Sequence, residues 1–218
     1  YILISHDDFY YCPGWDAEFE KEIKLLKHKK FYLSGTMVGA GQVQFNAGQT
    51  SETFNEEKLI NNLENIKTID FQGTTKCPGL VHIDVWNKLG GWSEEFSPTG
   101  GDDTDFAMKL WKDDVRIFKG LGKSLAYHFG SITTRKKDKS LFTYLGSRGN
   151  KIFLKKWGIT VNFFEKFYLN SGLDKNKKLI FNKYDGPLAN PNKKLNYYIE
   201  MFKVKIMLLY LLIVNFRY

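Results

Sequence analysis

The sequence predicts an α/β domain that carries a helical extension at its C-terminal end. Short apolar segments with strand character alternate with segments in which apolar residues recur at helical spacing, and this alternation is typical of α/β domains. The 218 residues are enough for one substantial core. Hydrophobic residues make up 43% of the chain and charged residues 26%, which is the balance of a globular protein.

The first four elements follow from local patterns in the N-terminal part of the chain. Residues 1–5 are apolar and predict a buried strand. A Pro-Gly turn then precedes residues 15–30, whose apolar residues lie on one face of a predicted helix. Residues 31–38 have strand character, and the Gly-, Gln- and Asn-rich residues 39–51 predict a loop.

The middle of the chain predicts shorter elements. The apolar spacing within 56–66 indicates a helix, and residues 67–71 indicate a short strand. Residues 80–83 are apolar and extended, and residues 84–89 form about one helical turn that ends at Gly90.

The last elements of the domain alternate in the same way. A helix is expected from Asp102 to about Lys112, and strands are expected at 116–118 and 124–128. Two further helices are predicted at 144–157 and 161–169, with Gly158 between them.

Three units follow from these elements. Residues 1–170 form the predicted catalytic domain, residues 171–194 are rich in lysine and asparagine and predict a loop or linker, and residues 195–218 predict an apolar C-terminal helix. The uninterrupted apolar run of this helix is too short to span a bilayer. Packing of this helix on the core or on a partner is the first expectation, and the lysines at its margins also suit peripheral contact with an anionic membrane.

Charge and cysteine content restrict the class of partner and the compartment. The formal net charge of +8 predicts an anionic partner, for which nucleotide phosphates, an acidic glycan, nucleic acid and a membrane surface are candidates. The basic excess lies after Arg135, and runs of this kind are often only solvated surface. The two cysteines, Cys12 and Cys77, predict no disulfide framework and suit a reducing compartment such as the cytoplasm.

Two adjacent carboxylates follow the first predicted strand. Asp7 and Asp8 lie where open α/β sheets place ligand sites. Hard oxygen ligands at such an edge can hold Mg²⁺ or Mn²⁺, and such an ion can neutralise a departing diphosphate. The alternative is that the two residues only start a turn and cap the next helix.

A second acidic group opens the predicted helix at 102–112. Gly100 and Gly101 allow a tight turn, and Asp102, Asp103 and Asp105 then crowd the first helical turn. One acid at this place is expected as a cap, but three exceed what capping needs. Their repulsion should raise the proton affinity of at least one carboxyl, which suits a general base. A base and a cap are both consistent with the pattern.

A histidine ends the predicted strand at 124–128. A histidine in this position is commonly structural, and His128 becomes a candidate metal ligand only if it converges with Asp8 on one ion.

Three segments, in this order, resemble the family 2 inverting glycosyltransferases of the GT-A fold. YILISHDDFYYCPGWD (1–16) resembles the strand and DxD region, VHIDVWNKLGGWSEEFSPTGGDDTDFAMKLWKDDVRI (81–117) resembles the acceptor-side block, and AYHFGSITT (126–134) resembles the closing His-x-Gly-Ser segment. The resemblance covers about residues 1–160. It implies a GT-A-like, partial Rossmann-like mixed sheet flanked by helices.

The resemblance assigns roles to individual residues. Asp8 corresponds to the metal ligand of the DxD motif and Asp7 to its middle position, whereas His6 departs from the expected acid. Asp103 corresponds to the catalytic base, with Asp102 beside it in place of the family's glutamate.

The resemblance implies further contacts with the metal or the diphosphate, with the donor and with the acceptor. His128 corresponds to the third contact with the metal or the diphosphate. His6, Asp7 and Gly101 are expected on the donor side, and Trp92 is expected to stack on an acceptor sugar or to be an ordinary core residue.

The implied function is transfer of a sugar, with inversion, from a nucleotide-sugar to a hydroxyl of a glycan, a lipid-linked acceptor or a protein. The cofactor would be Mn²⁺ or Mg²⁺, and nucleic acid is not expected as a partner. The family's nucleotide-binding strands are not in this sequence. At about 30 residues per βαβ unit, we expect about 80 residues of them to precede Tyr1 in a longer protein.

Two other functions fit parts of the same pattern. A degenerate transferase domain could bind glycan or protein without catalysis. A metal-dependent phosphoryl hydrolase or nuclease also uses clustered carboxylates and a basic surface, but it would typically place acids to hold two ions.

Overall fold

The computed structural model describes residues 1–39, 41–73, 75–97, 100–130, 148–173 and 179–213. Several sequence features lie outside these residues: the basic runs at 135–139 and 174–178, the beginning of the helix predicted at 144–157, positions 98 and 99 of the glycine-containing loop, the end of the 126–134 segment, and positions 214–218 of the tail.

The strands and helices alternate as predicted. The strands are β1 (Ile2–Ile4), β2 (Phe9–Tyr11), β3 (Phe31–Gly39), β4 (Phe71–Gln72), β5 (Gly79–Val81), β6 (Ile117–His128), β7 (Ser171–Leu173) and β8 (Leu179–Phe181). The helices are α1 (Trp15–Leu25), α2 (Glu56–Ile60), α3 (Leu63–Ile66), α4 (Ile83–Leu89), α5 (Asp102–Lys112), α6 (Arg148–Trp157), α7 (Val161–Phe167) and α8 (Leu195–Ile213).

The main sheet is mixed and has the strand order β1-β5-β3-β6-β2. Strands β3 and β6 are parallel, whereas β5 runs antiparallel to both β1 and β3. The far side of the long strand β6 pairs with β4 and then with β2, both antiparallel. The predicted α/β class with a mixed sheet flanked by helices is confirmed.

Strand β6 runs through a segment where the sequence predicts two strands and a gap. The charged residue Lys119 lies in this predicted gap. In the structure Lys119 is 9% exposed, and its ammonium group contacts Glu22 at 2.6 Å and Asp70 at 3.1 Å. A buried cation is tolerated in a strand when it is paired in this way, so the strand continues.

The pairing of β3 with β6 requires a glycine at position 35. The register between these strands shifts between Ser34 and Thr36. A Cβ atom at Gly35 would lie 2.9 Å from Pro78 Cγ and 3.0 Å from the Ser124 carbonyl oxygen. The close approach of three chain segments at this point therefore excludes a side chain.

Several predictions differ from the structure in detail. Helix α1 ends at Leu25 and not at residue 30, and β4 begins only at Phe71. Strand β1 was predicted as buried, but it lies at the edge of the sheet and exposes Leu3.

The helix predicted at 56–66 is divided into α2 and α3, because the Asn62 side chain donates to the Lys58 carbonyl oxygen and competes with the regular helical pattern. Strand β2 was not predicted, since its three half-buried residues show no alternation and form a strand only by pairing with the end of β6. Residues 171–194, predicted as a loop or linker, contain the hairpin β7–β8.

The largest core cluster lies between the sheet and the helices that follow β5. Helix α5 is buried from Thr104 to Leu110 apart from Lys109, and it packs with α6, α7 and the inner face of α8. This core fixes the N-terminal end of α5, where the candidate acids begin. Within the residues that the structure describes, no helix is long and apolar enough to cross a membrane.

Candidate functional site at the strand ends and the start of helix α5

Asp8 and His128 meet because β2 pairs with the end of β6. The register places Phe9 opposite His128, and the Phe129 N–H donates to the Asp8 carbonyl oxygen at 3.1 Å. Asp8 Oδ2 then lies 3.1 Å from His128 Nε2. Both side chains remain partly accessible, at 25% for Asp8 and 14% for His128.

This pair fits two positions of a divalent-cation site. Two neighbouring ligands of an octahedral ion with bonds of about 2.1 Å lie about 3 Å apart, and such an ion usually takes further oxygens from phosphate and water. The 3.1 Å separation satisfies this requirement, and it also satisfies a direct ion pair. Among the described residues no group of three or more His, Cys, Asp or Glu side chains could hold a metal ion. Of the described side chains, Asp8 and His128 are the two that could hold an ion at this point.

A row of rings leads from this pair to Trp92, in the segment that precedes α5. The Phe9 ring centroid is 5.0 Å from His128 and 5.5 Å from His6. The His6 ring is in turn 6.5 Å from the Trp92 ring. His6 is exposed, as is Asp7 in the turn before β2. The order along this row is therefore His128, Phe9, His6 and Trp92.

Helix α5 begins directly after two glycines with left-handed backbone conformation. Gly100 has φ 74° and Gly101 has φ 104°, a region that L-residues with side chains rarely adopt. A Cβ atom at Gly101 would also lie 3.2 Å from Phe96 Cδ1. This turn brings Asp102 and Asp103 to the helix N-terminus at the edge of the core, which matches the predicted start of the helix.

Asp103 is held from two sides. Its Oδ2 lies 3.3 Å from Lys76 Nζ, and its Oδ1 accepts a hydrogen bond from the Thr104 N–H at 2.7 Å. The side chain keeps 20% of its surface exposed. Asp103 therefore has a fixed orientation and a face that a small group can reach.

Asp102 carries the perturbed carboxyl group that the acidic cluster predicts. Burial and the neighbouring charge of Asp103 raise the pKa of Asp102, whereas backbone hydrogen bonds and the charge of His6 act in the opposite direction. The ring contact of His6 with Trp92 joins the loop after β1 to the segment that precedes α5.

Asp102→Asn should stabilise the protein at neutral pH. Because the folded-state pKa of Asp102 is raised, ionisation of this group costs stability as the pH rises above its unfolded value of about 3.9. The variant should therefore raise Tm by about 2 °C at pH 8, and the gain should disappear at pH 3, where the native carboxyl is neutral. Differential scanning calorimetry at both pH values measures this difference.

Asp16→Asn is a matched control for that variant. Asp16 also lies in the first turn of a helix, but it is exposed. Its loss removes a favourable interaction with the helix dipole and should lower Tm slightly. A Tm change of the same sign in both variants would contradict the assigned role of burial at Asp102.

Lys76 and Glu165 are further charged residues near Asp103 that the sequence did not indicate. The charge of Asp103 is the main cause that raises the pKa of Lys76 to about 12. Burial raises the pKa of Glu165, which Lys76 partly offsets and Asp103 reinforces. A single lysine before the apolar segment of β5 and a glutamate in α7 leave no pattern in the sequence, because only the tertiary fold brings them to Asp103.

Asp105 is separate from the site, although it belongs to the same acidic cluster in sequence. It is fully buried and accepts hydrogen bonds from Ser93 Oγ at 2.6 Å and Trp157 Nε1 at 2.7 Å. Lys156 Nζ lies 3.0 Å from its Oδ1. Burial alone would lower the pKa of Lys156, but hydrogen bonds to Glu95 and Asp105 outweigh it and raise the pKa. Asp105 therefore anchors α5 to α6 and to the Ser93 segment.

Trp92 packs against the core, and its indole N–H makes no hydrogen bond with the described residues. Its ring is partly buried against the main core. Its Nε1 atom is buried and has no hydrogen-bond partner among the described residues. A buried indole N–H normally finds an acceptor, so Trp92 Nε1 is a donor that the described residues leave unsatisfied and that is closed to solvent in this conformation.

The fold and the site together define an α/β domain whose strand ends and helix start form an acidic, aromatic-lined site. No protein-family model matches the chain, and no curated protein is significantly similar to it. The function is therefore inferred from the side chains themselves.

Proposed function

We propose that this protein is a GT-A-type glycosyltransferase that moves a sugar, with inversion and with the help of a divalent ion, from a nucleotide-sugar to an acceptor hydroxyl. The observation that carries the proposal is the convergence of three distant segments. Asp8 contacts His128, the rings of Phe9 and His6 continue from that pair, and the His6 ring lies 6.5 Å from that of Trp92 in the segment before α5. The same three segments carry the resemblance in sequence.

The position of the site in the sheet supports this class. Ligands of open α/β sheets bind outside the ends of strands, and Asp8 and His128 lie at such ends. The mixed sheet with an antiparallel β5 is compatible with a GT-A-like arrangement. Donor phosphates would lie next to Asp7, Asp8 and His6, and the left-handed turn at Gly101 would place the helix start beside the donor.

Asp103 is the proposed general base. It takes the proton of the acceptor hydroxyl while the hydroxyl oxygen forms a bond to the anomeric carbon. The bond from that carbon to the diphosphate oxygen breaks at the same time, so configuration inverts and the electron pair leaves with the diphosphate. Lys76 and the Thr104 N–H hold the carboxylate in place.

The ion would be held by Asp8 and His128. When bound, Mn²⁺ or Mg²⁺ supplies positive charge that stabilises the developing diphosphate anion. On the acceptor side, the partly exposed Trp92 ring would stack on a sugar face.

The engagement of both Asp103 oxygens favours a second candidate, a non-catalytic module that binds glycan or protein. Oδ1 accepts from the Thr104 N–H and Oδ2 contacts Lys76, so a substrate hydroxyl must share an oxygen with one of them. Such a module would bind a glycan beside Trp92 and release no nucleoside diphosphate.

Asp8→Ala should abolish metal-dependent binding of the donor. Loss of groups that merely orient metal ligands costs 10–100-fold in affinity, so loss of a ligand should weaken Mn²⁺-dependent binding by about a hundredfold or more. Calorimetric titration of the full-length gene product with UDP-, GDP- and dTDP-sugars, with Mn²⁺ and with EDTA, measures this loss.

Glu57→Ala is the control for this titration, because it removes one exposed carboxylate from α2. Its affinity should equal that of the unaltered protein. Donor binding that is insensitive to EDTA and to Asp8→Ala would reject the proposed ion site. If the unaltered protein binds none of the donors, the transferase proposal fails.

A further inference from the structure

Helix α8 exposes an unusually large apolar face. Of the fifteen large hydrophobic side chains that are exposed in the described part of the chain, nine lie on α8. They include Leu195, Ile199, Phe202, Ile206, Leu209 and Ile213, which are between 47% and 75% exposed. We call these six residues the outer stripe.

The opposite face of the same helix is buried in the protein. Tyr197, Val204 and Leu211 belong to the main core. The Tyr197 ring lies 5.0 Å from Phe163 and 5.2 Å from Phe167, both of helix α7. At about 100° per residue, the outer stripe lies on the side of the helix directly opposite these three residues. The helix is therefore fixed to the domain by one face and presents the other outward.

The charges around the outer stripe are positive. Lys203 and Lys205 are exposed and lie about 80° to either side of its centre. Lys193 and Lys194 are exposed just before the helix begins. Glu200 is the acid of this helix, and it lies toward the buried side and contacts Lys203 at 3.0 Å.

This charge pattern distinguishes between two candidate partners of the outer stripe, a second copy of α8 and a lipid membrane. A parallel pair of α8 helices, or an antiparallel pair centred on Val204, would bring the lysines at 203 and 205 close to those of a second copy, and like charges so placed are unfavourable. An anionic lipid surface complements lysines on both margins, and it accepts a broad apolar face that includes aromatic side chains at headgroup level, such as Tyr198 and Tyr210.

We infer that the outer stripe of α8 binds anionic phospholipid membranes, with the helix lying in the plane of the interface and the domain above it. The apolar side chains enter the boundary between headgroups and acyl chains, and the flanking lysines contact lipid phosphates. This inference does not depend on sugar transfer.

Flotation on density gradients tests the inference. The protein should float with vesicles of phosphatidylcholine that contain phosphatidylglycerol, should not float with phosphatidylcholine alone, and should bind less at high salt. Phe202→Ser/Ile206→Ser should weaken partitioning by about a hundredfold or more, because two exposed apolar side chains can no longer be buried in lipid. Lys203→Gln/Lys205→Gln should weaken it by about thirtyfold.

Two matched double variants control for the loss of exposed apolar side chains and of lysines in general. Leu25→Ser/Ile69→Ser also removes two exposed apolar side chains, which are 66% and 60% exposed outside α8. Lys27→Gln/Lys123→Gln removes the same charge from exposed positions elsewhere. Both should float like the unaltered protein. Since all substituted residues are exposed, Tm should not fall in any variant.

Three results would overturn the inference. One is failure of the unaltered protein to float with the anionic vesicles. Another is equal flotation with neutral vesicles. The third is light scattering that shows a dimer which Phe202→Ser/Ile206→Ser dissociates, since this result would assign the face to a second copy of the chain.

Discussion

Asp103→Asn should lower the rate of sugar transfer by about a thousandfold and leave donor affinity unchanged. General base catalysis contributes about 10²–10⁴ to a rate, and asparagine cannot accept the proton of the acceptor hydroxyl. The substitution nearly preserves the shape of the side chain, and the amide oxygen can still accept from the Thr104 N–H. Single-turnover kinetics with saturating donor, together with calorimetry of donor binding, separates the two effects.

Asp102→Asn provides the comparison for this experiment, since it removes the adjacent carboxylate without removing the proposed base. Its turnover should fall much less than that of Asp103→Asn. Equal turnover of Asp103→Asn and the unaltered protein would remove Asp103 as the base. If the unaltered protein binds a glycan beside Trp92 but forms no nucleoside diphosphate, the non-catalytic module becomes the better interpretation.

Asp105→Ala should destabilise the folded state by about 3–5 kcal/mol, the largest stability effect that we expect of the acids discussed here. The substitution leaves the Trp157 N–H without its acceptor and removes one of two carboxylates that contact Lys156. Because Asp105 is fully buried, bulk water cannot take the place of its carboxylate without further rearrangement. Urea denaturation followed by tryptophan fluorescence measures the change in the free energy of unfolding.

Asp84→Ala is the control for the stability measurement. Asp84 also contacts a lysine, at 2.6 Å from Lys29 Nζ, but both side chains are more than half exposed. Exposed pairs contribute little because water already solvates the separated charges. Asp84→Ala should have a urea denaturation midpoint close to that of the unaltered protein. An equally small change of the midpoint in Asp105→Ala would contradict the anchoring role of Asp105.

The elements that the sequence predicted well are those with local causes. Helix α5 begins where two glycines permit the turn and acids favour a helix N-terminus, and its buried residues recur at helical spacing. Strand β1 follows from an apolar run in the same way. The pairing of Asp8 with His128 was expected only through the resemblance, because β2 forms by contact with the distant end of β6.

The roles of several charged residues could not be predicted from the local sequence. Lys119 lies between two predicted strands but belongs to one continuous strand, because Glu22 and Asp70 neutralise it. Lys76 and Glu165 gave no signal, although Lys76 contacts the proposed base. Asp105 was not assigned a site role from the sequence, and its burial shows that it anchors the helix instead. In each of these cases the deciding partner is remote along the chain.

Asp8 is positioned by a short antiparallel pairing, whereas Asp103 is positioned by a helix that is anchored in the core. Strand β2 has three residues and lies at the edge of the sheet, where Phe9 and Tyr10 pack against core clusters. The side that bears Asp103 is fastened by the buried Asp105 network. In the proposed transferase, the side that bears Asp8 would therefore adjust more readily to ligands of different size than the side that bears the proposed base.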